Sequence, residues 1–200
     1  GIRGSQPSPD QIMISIKGDA AHAMAIRWRT DTTVTEGYAL YREKGSDHWE
    51  KAVAIKNTFK TDMDESNFFF ADMVGLTPAT EYEYTCGSDD NRSDVFCFKT
   101  AKVDATKFSF LCISDVQAGD AEPPADYSAL GEILKSFLSE HPECEFILTG
   151  GDNTNCGQTD IQWTGLFEGL KGVCESMPIM FCMGNHDDMG FSSYFTKEDK

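Results

Sequence analysis

The hydrophobic pattern of this 200-residue chain changes near residue 102, and no other feature constrains its fold as strongly. Up to that point, apolar residues alternate with polar ones in short runs that turn residues separate. Beyond it, apolar residues form compact blocks with helical spacing between them. Because a chain of this length can form two small domains, we predict one domain over residues 1–101 and a second over residues 102–200.

The first half is predicted to be an antiparallel all-β sandwich. Period-two alternation places every second side chain on one face of a strand, and turn residues between the runs are typical of such sandwiches. The alternating runs lie at residues 12–16, 24–28, 38–41, 68–70, 82–84 and 95–98. Trp28 and Tyr82 could serve as ligand platforms, but a sandwich needs an inward aromatic and a corner tyrosine, and we favour the core role for both.

The second half is predicted to be an α/β unit of order βαβαβ. Compact apolar runs at residues 107–113, 145–148 and 178–183 have the length of strands that are buried on both faces. Helical spacing between the first two runs, at residues 130–138, predicts an amphipathic helix. A second helix near residues 161–170 is a weaker prediction because Gly165 and Gly169 lie within it and Gly172 lies just after it.

Each of the three apolar runs ends in a polar segment, at residues 114–117, 151–155 and 184–187. Right-handed crossovers place the carboxyl ends of parallel strands at one edge of the sheet, where open α/β sheets bind ligands. Asp115 and Asp152 would repel each other there unless a cation lies between them. Oxygen ligands joined by an amide or imidazole suit Mg, Mn, Fe or Zn, so the pattern predicts a metal site.

Each of these residues also has an ordinary interpretation. Asp115 alone is more often a turn former, and Asp152 lies in a glycine-rich turn. Asn185 after a glycine suits a left-handed turn, and His186 suits an exposed surface. Three independent turns would not need these side chains at equivalent places in the topology, so the set as a whole favours the metal site.

These motifs resemble the first half of a calcineurin-like metallophosphoesterase, with residues 184–187, Gly-Asn-His-Asp, matching the family signature in full. The resemblance implies an incomplete β-sandwich with flanking helices. It also implies two divalent or mixed-valence metal ions (Fe, Mn or Zn) and hydrolysis of a phosphate ester by a hydroxide bound to the dinuclear centre. The implied metal ligands are Asp115, Gln117, Asp152, Asn155 and Asn185, and the implied catalytic residue is His186.

Two positions depart from the family pattern. Gln117 stands where the family has His or Gly, and Asn155 stands where it has Asp or Tyr. A neutral amide is a weaker ligand than imidazole or phenolate. We therefore expect the first metal ion, the one that Asp115 would bind, to be loosely held. Without a tyrosine at position 155, we expect no purple colour. The later histidine motifs of the family are missing, since the four histidines are His22, His48, His141 and His186. We therefore expect this chain to be the front portion of a longer protein and to be inactive alone.

The amino-terminal half resembles the fibronectin type III-like domain that precedes the catalytic domain of purple acid phosphatases. The resemblance rests on residues 9–19, 25–30, 76–84 and 98–100, of which Leu-x-Pro-x-Thr-x-Tyr-x-Tyr at 76–84 is the most specific. Together the two resemblances imply an acid phosphatase-like hydrolase in an extracytoplasmic or secreted location. The alternative is a catalytically degenerate binding or adhesion module, which the departures at residues 117 and 155 favour.

Composition limits the partners and the thiol chemistry. A net charge of −16 argues against nucleic acid or an anionic membrane surface, and no apolar stretch is long enough to span a bilayer. Of the seven cysteines, Cys112 and Cys182 lie in apolar runs and are expected to pack as small hydrophobic residues. Cys86 and Cys97 could face each other across adjacent strands, and an odd total leaves at least one thiol free.

Overall fold

The computed structural model describes residues 4–118 and 125–187. In the amino-terminal half the strands are β1 Asp10–Ser15, β2 Ala23–Asp31, β3 Tyr38–Glu43, β4 Glu50–Val53, β5 Ile55–Lys60, β6 Glu65–Val74, β7 Glu81–Gly87 and β8 Phe96–Lys99. In the second half the elements are β9 Ser109–Ile113, α1 Ser128–Glu140, β10 Cys144–Thr149, α2 Asp160–Gly169 and β11 Ile179–Met180. Neither described helix is long and apolar enough to cross a membrane.

The first eight strands form two antiparallel sheets, of order β1-β2-β6-β5 and β4-β3-β7-β8, which confirms the predicted sandwich. Trp28 is fully buried between the sheets and stacks on Phe69 with ring centroids 5.4 Å apart. The hydroxyl of Tyr82 accepts a 2.8 Å hydrogen bond from the backbone N–H of Thr77, which holds the corner that precedes β7. The predicted core roles of Trp28 and Tyr82 are therefore confirmed.

The second half contains a parallel sheet of order β11-β10-β9, with β10 in the centre, so the predicted βαβαβ order is confirmed. The third strand is shorter than predicted, because β11 covers only two residues instead of 178–183. Past Met180 the backbone bonds to side chains rather than to a strand. The N–H of Cys182 donates to the Thr149 hydroxyl at 2.9 Å, and the Cys182 carbonyl accepts from the Asn153 amide at 2.8 Å.

The prediction that all three strands are buried on both faces is wrong for β9. Both helices pack on the face that carries Ile147 and Ile179, whereas no described element covers the opposite face. There the rings of Phe110 and Phe146 stack on each other at 5.0 Å, and Phe110 remains 46% exposed. Cys112 lies on this uncovered face of β9 and is exposed, so its predicted packing as a small hydrophobic residue is wrong.

The structure also tests the other predictions about the cysteines. Cys182 is exposed because it lies in the loop beyond β11, so it does not pack as predicted either. Cys97 pairs with Glu83 in the β7–β8 ladder, three residues from Cys86, so the two thiols do not face each other. All seven cysteines lie among the described residues and are free. Burial raises the pKa of the Cys86 thiol to about 12.

One glycine in each helix, Gly131 in α1 and Gly169 in α2, lies where the two helices approach each other. A Cβ atom at Gly131 would lie 2.0 Å from the carbonyl oxygen of Gly169, and one at Gly169 would lie 2.4 Å from the Cβ of Tyr127. Any side chain at either position would force the helices apart. Close packing of the two helices thus offsets the low helix propensity of glycine, which costs about 1 kcal/mol per residue.

The sandwich and the α/β unit contact each other directly. The N–H of Ile14 in β1 donates to the Cys174 carbonyl at 3.0 Å. The buried hydroxyl of Tyr84 in β7 donates to the Glu175 carbonyl at 2.7 Å, and burial raises the pKa of this tyrosine well above its usual value. Both bonds reach the turn that follows α2, so the sandwich packs against the α/β unit at the end of this helix.

Candidate metal centre

The first and second polar loops run side by side as an extension of the parallel sheet. We call residues 114–117 the first loop and residues 150–157 the second loop. The backbone N–H of Asp115 donates to the Gly151 carbonyl at 3.1 Å, and that of Gln117 donates to the Asp152 carbonyl at 3.1 Å. The structure therefore brings the ends of β9 and β10 into contact at one edge of the sheet.

The third loop, residues 182–187, packs against the carboxylate of Asp152. The backbone N–H of His186 donates to Asp152 Oδ1 at 3.0 Å. A Cβ atom at Gly184 would lie 2.0 Å from the same oxygen and 2.3 Å from the Asp152 nitrogen, so only glycine fits at this position. Asp152 and the Gly-Asn-His-Asp motif are thus joined by a hydrogen bond and by close packing.

Asp115 and Asp152 share an uncommon backbone conformation. Their φ angles are +55° and +51°, in the left-handed region that non-glycine residues seldom adopt. Asp adopts this conformation more readily than most residues, and such conformations cluster at functional sites, where the surrounding structure maintains them. The two carboxylates nevertheless differ in environment, since Asp115 is exposed and Asp152 is partly buried. The argument that a buried charge needs a cation therefore applies to Asp152 alone.

Gln117 carries the clearest sign of a missing partner. Its Oε1 atom is buried and accepts no hydrogen bond from any of the described residues. A buried acceptor without a partner costs about 1–3 kcal/mol, and a cation would satisfy it. An amide oxygen beside the carboxylate-bearing loops fits a metal that prefers oxygen ligands, so the donors present are compatible with the metal centre that the sequence predicts.

The remaining predicted ligands are the two asparagines. Asn155 lies in the second loop, where its backbone N–H donates to Gln162 Oε1 at 3.3 Å. Asn185 lies in the third loop with an exposed side chain. The structure thus places all five predicted ligands on three adjoining loops. Within residues 4–118 and 125–187, no three His, Cys, Asp or Glu side chains come close enough to bind a metal together. Three of the five predicted ligands are amide side chains.

The ring of His186 is oriented by the second loop. Its Nδ1 atom donates to the backbone carbonyl of Asn155 at 3.0 Å. Because a carbonyl oxygen only accepts, Nδ1 must carry a proton, which leaves Nε2 as the ring atom that can exchange a proton with another molecule. This arrangement lets a histidine act as a general acid or base.

Asp187 is a residue of this region that sequence analysis did not assign. Its fully buried carboxylate accepts hydrogen bonds from the backbone of Asn153 at 3.1 Å, Thr154 at 2.8 Å and Gly184 at 2.9 Å. The Asn153 amide and the Thr154 hydroxyl also donate to it, at 2.9 and 3.0 Å. Asp187 therefore joins the second and third loops. The signal in the sequence was a carboxylate at the end of the motif to which no metal role had been given.

Both helices support the second loop from behind. The hydroxyl of Tyr127, the residue before α1, donates to the Asn153 carbonyl at 2.7 Å, and burial raises the pKa of this tyrosine. Gln162, in the first turn of α2, is fully buried and accepts from the N–H of Asn155. The second loop is thus held by the third loop on one side and by the helices on the other.

Comparison with protein families matches both halves of the chain. Residues 9–100 match the family described as "Purple acid Phosphatase, N-terminal domain", and residues 108–200 match the family described as "Calcineurin-like phosphoesterase". The two matches together leave only short stretches of the chain unassigned. A comparison with curated proteins found no matching sequence.

Two solved structures share the fold. The purple acid phosphatase PPD1 from seeds of yellow lupin (Lupinus luteus) superposes with a TM-score of 0.73 at 16% identity, over 90% of this chain and 36% of that one. PhoD superposes with a TM-score of 0.59 at 13% identity, over 93% of this chain and 40% of that one. The chain therefore spans well under half the length of either. Its residues 9–100 belong to the purple acid phosphatase N-terminal domains, and its residues 108–200 belong to the calcineurin-like phosphoesterases.

Proposed function

We propose that this chain carries part of the active site of a metal-dependent phosphoesterase that hydrolyses phosphate esters with two metal ions. The observation that supports it best is the contact among the three loops, with Gln117 Oε1 buried and lacking a partner among the described residues. The family match at residues 108–200 and the fold shared with the purple acid phosphatase PPD1 support the same conclusion.

The proposed ligands of the two metal ions, which are Fe, Mn or Zn, are Asp115, Gln117, Asp152, Asn155 and Asn185. Asp152 would be the central member of this set, because the backbones of both neighbouring loops contact it. Bound divalent ions activate water and neutralise the charge on phosphate oxygens. The protein contributes the positions of the oxygen donors, which the left-handed turns at Asp115 and Asp152 define.

His186 is the proposed catalytic residue. Its bond to the Asn155 carbonyl keeps the proton on Nδ1 and holds the plane of the ring. A protonated Nε2 can then donate to the leaving oxygen of a phosphate ester, and the neutral form can receive a proton afterwards. The neutral carbonyl partner orients the ring without adding a negative charge beside it.

Substitution of Asp152, the central proposed ligand, tests this function. In the full-length protein, Asp152→Ala should lower manganese-dependent hydrolysis of an aryl phosphate by at least about 100-fold, because even supporting residues of metal sites contribute about 10–100-fold. The metal content should fall in parallel when it is measured by elemental analysis. The control is Asp72→Asn, which removes an exposed carboxylate that pairs with Lys17 on the sandwich. Unchanged hydrolysis in Asp152→Ala would contradict the proposal.

The second candidate is a binding or adhesion module that has the fold of a metallophosphoesterase without its catalysis. The amides at Gln117 and Asn155 favour it, since both replace stronger ligands of the family pattern. The same experiment separates the two candidates. A full-length protein that shows no hydrolysis with Mn, Fe or Zn, either before or after the substitution, would support the module.

We also propose that the protein works in an extracytoplasmic or secreted location.

The proposed boundary between the two domains lies between residues 101 and 102. The Thr100 hydroxyl donates to the Thr77 carbonyl at 2.6 Å, and the N–H of Ala101 donates to the Ala20 carbonyl at 3.0 Å, whereas residues 102–108 are exposed along their whole length. Limited proteolysis should therefore cut first within residues 102–108. Cleavage inside the sandwich before this segment would contradict the boundary.

A further inference from the structure

We infer that the sandwich positions the candidate metal centre through helix α2, and that Arg29 and Asp62 are positioning residues for it although both lie in the sandwich. This inference rests on the proposed function for its biological meaning. Structurally, the inference rests on two sets of contacts made by the first turn of α2. One set joins this turn to the sandwich, and the other joins it to the second loop.

On the sandwich side, the contacts are made by the buried side chain of Arg29, which pairs with two carboxylates. Arg29 is 1% exposed and holds Asp10 through two parallel hydrogen bonds of 2.8 and 2.7 Å. Its Nη1 atom lies 3.8 Å from the carboxylate of Asp160, the fully buried first residue of α2. The Thr164 hydroxyl also donates to Asp160 at 3.2 Å. Arg29 therefore supplies the positive charge that permits burial of Asp160.

A second contact reaches the same end of the helix. Asp62, in the turn between β5 and β6, accepts a 2.8 Å hydrogen bond from the backbone N–H of Asp160. The first N–H groups of a helix have no partner within the helix, and an acidic side chain there also interacts favourably with the helix dipole. The sandwich thus holds the start of α2 through both the side chain and the backbone of Asp160.

The two residues after Ile161, Gln162 and Trp163, contact the loops of the candidate metal centre. Gln162 accepts from the N–H of Asn155 at 3.3 Å. The indole N–H of Trp163 donates to the Gly157 carbonyl at 2.8 Å, and the N–H of Gly157 donates to the His186 carbonyl at 2.9 Å. The first turn of α2 therefore contacts a proposed ligand directly and the proposed catalytic histidine through one intervening residue.

The turn between these two sets of contacts is short and tightly packed. Asp160 and Trp163 are three residues apart, or about 4.5 Å along a helix axis. Gln162 and Leu166 are fully buried, and Trp163 is 4% exposed. Because a packed interior transmits displacement instead of absorbing it, a shift of Asp160 must move Gln162 and Trp163, and with them the second loop.

Hydrogen–deuterium exchange of the full-length protein tests this coupling. In Arg29→Gln, the amides of Asn155 and Gly157 should exchange at least about tenfold faster, and Mn²⁺ affinity measured by calorimetry should fall about tenfold, the lower end of the range for residues that support metal ligands. Arg29→Lys keeps the charge without the two parallel bonds and should restore part of both. The matched control is Arg42→Gln, which breaks the 2.8 Å pair with Glu83 within the sandwich and should change neither quantity.

A surface variant covers the case in which Arg29→Gln does not fold. Asp62 is exposed, so Asp62→Ala should fold normally and speed exchange at Asn155 and Gly157 about fivefold, the effect of losing one helix cap. Folded variants that exchange at the rate of the Arg42→Gln control would overturn the inference. Amide exchange is measured without substrate or metal, so failure of the coupling is distinct from failure of the proposed function, which would appear as a wild-type protein without hydrolysis.

Discussion

The backbone N–H of His186 is bonded to the carboxylate of Asp152, at 3.0 Å from Oδ1. The proposed catalytic histidine and the central proposed ligand are therefore joined by a main-chain hydrogen bond that does not depend on any metal. Gly184 makes this possible, because a side chain there would occupy the space of the carboxylate. The geometry of the centre thus depends on the small size of one glycine as well as on its oxygen donors.

Replacement of this glycine should damage the centre more than the fold. In Gly184→Ala, the new Cβ would lie 2.0 Å from Asp152 Oδ1, so the carboxylate must move. We expect a loss of about 1–3 kcal/mol in the free energy of unfolding, as for other overpacked sites, and a fall in Mn²⁺ affinity of at least about tenfold. Calorimetric titration and urea denaturation measure the two effects.

The control for this variant is Gly45→Ala. Gly45 has a positive φ of +89° and nothing within 4 Å of an added Cβ. It should lose about 1 kcal/mol of stability from backbone strain and keep its Mn²⁺ affinity. Equal metal affinities in the two variants would show that Gly184 does not shape the site.

Asp187→Asn should weaken the link between the second and third loops. The carboxylate accepts five hydrogen bonds from Asn153, Thr154 and Gly184, and an amide group would turn a donor toward some of those donors. We expect a loss of roughly 3 kcal/mol in stability, typical of breaking a buried charged network. The comparison variant is Asp126→Asn, because Asp126 is exposed and accepts a 2.9 Å hydrogen bond from the backbone N–H of Ser128. Similar unfolding midpoints for both variants would contradict the structural role of Asp187.

The stability of the protein should depend on pH through Glu175 in the turn after α2. Burial raises the pKa of this carboxyl above its usual value, against smaller effects of backbone hydrogen bonds and of two nearby lysines. A raised folded-state pKa means that the folded protein binds the proton more tightly than the unfolded chain. Glu175 therefore lowers stability as pH rises from the ordinary glutamate pKa, about 4.3, through its raised value.

The variant Glu175→Gln removes this titration and can still accept the 2.7 Å bond from the Gly172 N–H. Its unfolding free energy, measured by urea denaturation at a series of pH values, should exceed that of the wild type increasingly as pH rises through the same interval. Parallel curves for the two proteins would rule out a contribution from Glu175.

Thiol reactivity should report which face of the parallel sheet is open. In the 200-residue chain, Cys112 and Cys182 are exposed and should react first with a thiol reagent. Cys86 and Cys174 should react only on unfolding, since burial raises the pKa of Cys86 to about 12 and that of Cys174 further still. Mass spectrometry of the labelled peptides gives the order. Early labelling of Cys174 would show that the turn packed on the sandwich opens readily.

Sequence patterns predicted the strands and helices whose hydrophobic residues repeat with a regular period along the chain. Alternation around Trp28 predicted a strand with one face in the core, and the spacing near Leu134 predicted α1. The glycines of α2 made that helix a weaker prediction, because the close contacts that require them are with Ala125 and Tyr127, which are distant in sequence. The assignment of Asp115, Gln117, Asp152, Asn155 and Asn185 as metal ligands stays a prediction.

By itself, the sequence determined the sandwich, the βαβαβ order and the three polar segments at the strand ends, because periodicity and turn chemistry are local properties of the chain. Only the tertiary structure decided that Cys112 faces an uncovered side of the sheet, that Asp187 holds two loops together, and that Arg29 contacts the start of α2. These three features depend on which surfaces meet, and Arg29 and Asp160 are brought together by packing that no local pattern encodes.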